Sequence, residues 1–218
     1  MLAPVNSATS LFQIDAGSQV MSRDNHSNSL TEPERHDSYA MPSGPVREAL
    51  RLSVRQLEVA ELQQQPAQMC QALAQVGRCY GALQAWAPAE SYLLQALRWS
   101  HTLGAQDMGV ELLCDLAEVT CSAADSAQPD DRRGVHAARE RARDHAFEAA
   151  ALAALATDPH WEVKVLLRVS DVLDRCGDHD DAISLQTRAL ALICSDTTGH
   201  AALDSADTIR VEVPTALM

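Results

Sequence analysis

The sequence predicts an all-α protein, an array of antiparallel helix pairs preceded by one extra helix. Three observations point there. Apolar residues make up 46% of the 218-residue chain but aromatics only 4%, and a core rich in Ala and Leu favours close-packed helices over sheets. Between residues 44 and 194 helix-opening and helix-ending residues fall at regular intervals. Finally, two alanines seven residues apart recur three times along the chain.

The elements follow in order. Residues 1–43 are rich in Ser and Asn and keep no sustained period, so they read as a disordered tail. "SGPVREALRLSVRQLEVAELQ" opens with Ser43 and places Pro45 in a first helical turn, where its missing N–H costs nothing; it predicts the extra helix over 45–63. Further helices are predicted over 67–82, 87–103, 106–123, 135–156, 160–176 and 179–194. Gly104 and Gly177 stand where a helix ends in a left-handed cap, and Pro159 is expected to stop the Ala-rich helix before it. "DSAQPDDRRG", 125–134, reads as an inserted surface loop. Ser195–Met218 reads as a flexible tail, although its "TIRVEVP" alternates like a short strand.

The alanines set a register. Ala89 and Ala96 match Ala142 and Ala149, then Ala182 and Ala189. Gly77 lies twelve residues before Ala89, and Ser170 twelve before Ala182, whereas Ala117 precedes Ala142 by 25. The small residues are thus 40 and then 53 apart, and the first alanines 53 and then 40. One insertion of 13 residues within the second unit accounts for both, and it falls on the "DSAQPDDRRG" stretch. Small residues on both helices allow antiparallel axes to approach to about 8 Å. Leu73, Val76, Leu113, Leu116, Leu166 and Val169 are then placed to fill the remaining volume.

This pattern resembles the tetratricopeptide repeat (TPR). The first unit offers Val76-Gly77, Tyr80, Ala89 and Ala96-Leu97, and the third Val169-Ser170, Leu173, Ala182 and Ala189-Leu190. The second is degenerate, with Thr120 at the aromatic position and Ala149-Ala150 at the end. The resemblance covers about 67–194 and implies a short right-handed α-solenoid whose first helices line a concave groove. The inward positions it implies include Gln71, Ala74 and Arg78, then Glu111, Cys114, Asp115, Glu118 and Cys121, then Lys164, Arg168, Asp171 and Asp174. In the family's clamp for chaperone C-terminal carboxylates, Lys164 and Arg168 match two basic positions. Ala74, Arg78 and Asp115 replace the other three, so an ordinary chaperone co-factor is not expected.

Composition excludes other classes. Thirty acids against 17 bases give a formal charge of −13, which argues against a nucleic-acid partner. Sixteen of the bases are Arg and one is Lys164, a hint of a GC-rich bacterial genome. No stretch approaches the 18 apolar residues of a membrane span, and the first twenty residues contain no basic residue, so no secretory signal is read. Six cysteines without CxxC spacing suggest reduced thiols in a cytoplasm. No metal site is expected: "CGDHDD", 176–181, reads as a turn, because no second cluster stands at zinc spacing. His145 has no nucleophile beside it, and nucleotide-binding and hydrolase motifs are lacking, so neither catalysis nor a cofactor is expected.

The expected function is non-catalytic binding of a protein or peptide segment, as an adaptor or regulator. A secretion chaperone or exported effector remains an alternative, and an enzyme or metal protein using the Cys and His content is a more distant one. The candidate groove residues are Arg78, Glu111, Asp115, Glu118, Lys164, Arg168 and Asp171. Their order, acids in the middle unit and bases in its neighbours, predicts a ligand with a basic centre and acidic ends. Ile183, Leu190 and Cys194 form a second apolar stripe on the last helix, expected to be covered by self-association or by "TIRVEV".

Overall fold

Alanine and leucine at helical spacing build seven helices in succession. They are α1 (Ser43–Leu62), α2 (Pro66–Ala82), α3 (Trp86–Leu103), α4 (Gln106–Asp125), α5 (Arg132–Ala153), α6 (Pro159–Cys176) and α7 (His179–Ala206). The computed structural model describes residues 43–128 and 130–206, with backbone alone for 43 and 196–206. No strand occurs among the described residues. The expectations for residues 1–42 and for "TIRVEV" lie outside them.

Helix signals act mostly as the sequence indicates. Gly104 (φ 66°) and Gly177 (φ 96°) adopt the left-handed conformation that closes α3 and α6. Pro159 acts differently from the expectation. It opens α6 as its first residue behind the cap Asp158, whose carboxylate accepts the His160 N–H, while α5 has already ended at Ala153. Proline is favoured at that first position because no intrahelical bond is lost there. The last helix also departs from its predicted end at Cys194. Its backbone stays helical to Ala206, through a segment whose one helix-weakening glycine, Gly199, costs only about 1 kcal/mol.

The pairs are α2–α3, α4–α5 and α6–α7, and α3 and α5 pack also on the next first helix. Ala89, Ala96, Ala142 and Ala149 are fully buried, and Ala182 and Ala189 nearly so. Opposite them, a Cβ on Gly77 would meet Leu93 Cγ at 2.7 Å, so α2 and α3 touch where only hydrogen fits. The thirteen-residue insertion is not the loop that the sequence suggests. Compared with the first pair, three of its residues lengthen the end of α4, three the connector, and seven the start of α5. The connector is residues 126–131, and Asp131 caps α5 by accepting the Gly134 N–H at 2.9 Å.

α1 carries the same signature as the second helices. Ser53 and Ala60, seven apart, are 2% and 1% exposed against α2. In the sequence the pair is disguised, because serine replaces the first alanine and Glu61, not leucine, follows the second.

Candidate functional site

First helices face one another and second helices do not: α2 touches α4 and α4 touches α6, whereas the backbones of α1, α3, α5 and α7 stay apart. The inner side of the array is therefore made by α2, α4 and α6. α4 is enclosed by the other two first helices and by α3 and α5, and twelve of its twenty residues are buried.

That enclosure corrects part of the inward set. Ala74, Cys114 and Cys121 are at most 2% exposed and present nothing to a groove. Burial pushes the thiols of Cys114 and Cys121 up to about 12, and the Cys121 sulfur lies 3.9 Å from that of Cys176 on α6. Thr120, at the position of an aromatic, is fully buried and returns its hydroxyl to the Leu116 carbonyl at 2.7 Å.

The charged candidates do converge. Asp115 on α4 is 8% exposed and lies between two guanidinium groups. Arg78 Nε on α2 donates to its Oδ2 at 2.6 Å, and Arg168 Nη2 on α6 donates to its Oδ1 at 2.8 Å. Arg168 Nε also donates to Glu118 at 2.8 Å, and Arg78 lies 3.6 Å from Glu111. Burial works against the charge of Arg168, but the hydrogen bonds it donates to Glu118 and Asp115 outweigh it and hold its pKa above the ordinary value. Arg175 of α6 adds Asp125 at 2.8 Å. The result is a ladder of arginines and carboxylates that ties all three first helices together. The acid-in-the-middle order is thus matched within the chain by the flanking arginines themselves.

Two candidates stay outside the ladder. Lys164 is exposed and makes no ion pair among the described residues. Asp171 has a 72% exposed side chain and only Arg175 at 4.0 Å. Half-exposed Glu111 is held only loosely, by Arg78 at 3.6 Å. Behind the ladder, Trp86, Leu93 and Val119 border a cleft of about 340 Å³ beside Arg78 and Asp115.

The other candidate sites resolve simply. In "CGDHDD" Asp178 accepts Arg143 and His179 Nδ1 lies 2.6 Å from Asp174. Among the described residues no three His, Cys, Asp or Glu side chains converge as a ligand set. His145 is half-buried, and desolvation lowers its pKa. No described helix is long and apolar enough to cross a membrane.

No protein-family model matches the chain, and no curated protein does. Among solved structures, a chain described as the DHF58 filament is 21% identical over 69% of this chain and 80% of its own, with a TM-score of 0.40. BtubC (BKLC) from P. vanneervenii is 17% identical over 81% of this chain and 80% of its own, with a TM-score of 0.31. The helix-pair architecture rests on the helices themselves.

Proposed function

We propose that the protein is a non-catalytic scaffold of the tetratricopeptide type that binds a protein or peptide segment along α2, α4 and α6. The observation that supports this is the shared inner face: three helices present charged side chains there, and the ladder fixes their mutual positions. Preorganisation of that kind reduces the ordering cost of binding. The ladder also changes the ligand. Asp115 and Glu118 are already engaged, so the groups that meet a ligand are Lys164, which suits a carboxylate, and Glu111 and Asp171, which suit basic side chains. Unbridged cysteines and an arginine-rich, lysine-poor composition favour a bacterial cytoplasmic adaptor or regulator.

The test is partner capture from host lysate with charge-reversed variants. Lys164→Glu and Asp171→Lys should each weaken capture, more so at low salt, without lowering the melting temperature. Arg98→Glu, on the exposed side of α3, should leave capture unchanged. Capture lost only with Arg98→Glu would move binding to the outer face.

A further inference from the structure

Among the described residues, no helix precedes α1 at the N-terminal end of the array in the way that α4 precedes α5. Each of α3 and α5 lies between two first helices, α2 and α4 for the one, α4 and α6 for the other. α1 bears the second-helix pair Ser53 and Ala60, yet among the described helices it packs on α2 alone. The position that α4 fills against α5 and α6 is a groove at α1 and α2. It measures about 750 Å³, against about 340 Å³ for the cleft beside Arg78, and its lining includes Ala49, Leu52, Val59, Gln71, Ala72 and Gln75. Leu52 is 58% exposed and Val59 48%, so no described element covers the apolar floor.

Repeat register marks the same place. Gln71 and Gln75 precede Glu111 and Asp115 by 40 residues, and those in turn precede Lys164 and Arg168 by 53. At these positions α4 receives Arg78 from the first helix before it, and α6 receives Asp115 and Glu118. Gln71 and Gln75 are exposed and have no first helix before them among the described residues.

Charge selects the occupant. Arg47, Arg51 and Arg55 succeed one another four residues apart along α1, exposed, bordering Leu52, and without an ion pair among the described residues. Like charges at that spacing repel one another. In a chain of net charge −13 such a row is complementary to an acidic surface.

We propose that the groove between α1 and α2 docks an acidic amphipathic helix of a partner protein. Its apolar face covers Leu52 and Val59, a small residue lies against Ser53 as Gly77 lies against Ala89, and its carboxylates meet Arg51 and Arg55. This surface is at the end of the array, apart from the inner-face ladder, and stands or fails separately from the reading above.

The probe is a labelled synthetic peptide with the sequence of α4, with serine for Cys114 and Cys121. In this fold α4 fills the equivalent groove, and it carries five acids, Asp107, Glu111, Asp115, Glu118 and Asp125. A second peptide has all five acids replaced by lysine. Fluorescence anisotropy with the full chain should show the acidic peptide binding and the lysine peptide binding about tenfold more weakly or not at all. Leu52→Glu or Val59→Glu should weaken the acidic peptide at least about tenfold. Arg51→Glu with Arg55→Glu should weaken it and flatten its salt dependence. All four residues are exposed, so unchanged melting temperatures confirm that these variants fold. Lys164→Glu should leave this affinity unchanged. Absence of binding, equal binding of both peptides, or binding indifferent to Leu52→Glu overturns the proposal. A dimer of the full chain that blocks the peptide and dissociates with Leu52→Glu overturns it too, assigning the groove to a second copy.

Discussion

Arg168 on α6 and Asp115 on α4 are 53 residues apart in sequence and 2.8 Å apart in space, at the centre of a bridge that Arg78 extends to α2. Asp115 is the one carboxylate in that bridge removed from solvent, so the energetics depend on it. Asp115→Ala removes the carboxylate that two guanidinium groups share, leaving Arg168 with Glu118 and Arg78 with Glu111, and should cost about 1–2 kcal/mol in urea unfolding. Glu111→Ala removes only a half-exposed partner at 3.6 Å and should stay within about 0.5 kcal/mol. Equal effects of the two would mean that the ladder contributes no stability.

The small-residue register has its own test. Ala189 is 1% exposed while Gln186, on the same helix, faces solvent. Ala189→Leu should overpack and destabilise by about 1–3 kcal/mol, and Gln186→Leu should be nearly neutral. Gly77→Ala should also destabilise, even though alanine is the better helix former by about 1 kcal/mol, because the new methyl meets buried Leu93. Adding Leu93→Ala should make the Gly77→Ala step less costly, a coupling that a double-mutant cycle reads directly.

Stability should depend on pH at both extremes. The folded-state pKa of Cys121 is raised from 9.0 to about 12, chiefly by burial, so its contribution is complete below pH 9.0 and is lost as pH rises toward 12. His145 is shifted the other way: burial lowers its pKa from 6.5, so its contribution is present above 6.5 and fades as pH falls below it. Melting temperatures measured across this range should form a plateau between these limits. Cys121→Ala should flatten the alkaline limb and His145→Gln the acid limb.

Thiol chemistry gives an independent reading of the core. Five of the six cysteines are buried and Cys194 is exposed. Native titration with a disulfide reagent should therefore modify Cys194 quickly, and the remaining thiols only after denaturant opens the array. Rapid modification of Cys121 or Cys176 in the native protein would contradict the packing of α4 on α6.

Much of the fold was legible because it is written in local signals. The glycine caps, Pro45 in its first turn and the alanine pairs act within one helix or between sequence neighbours, and all but one helix end fell within three residues of the expectation. The exception was the end of α7, where no proline or glycine cap marks a stop at Cys194. The insertion was misread for a related reason: "DDRRG" has turn composition, yet Asp131 uses it to cap a helix that begins three residues before the expected start. The candidate site was legible in its residues but not in its pairing. Arg78, Asp115 and Arg168 were all singled out, but sequence spacing alone did not tell a charge that waits for a ligand from one that meets its complement on the next helix. Cys114 and Cys121 were misplaced because α4 is enclosed on four sides, which no pattern within one helix reports.

The enclosure of α4 also bears on how the chain reaches this state. Every helix packs on its sequence neighbours, with the first helices adding contacts one pair away, so no distant segment has to be found. Such a low contact order places folding in the microsecond to millisecond range. The α4–α5 hairpin, lengthened by its insertion and touched from both sides, is the natural nucleus from which helix pairs zip outward. Opening runs in reverse, so amide exchange should reach α1 and α7 first and α4 last.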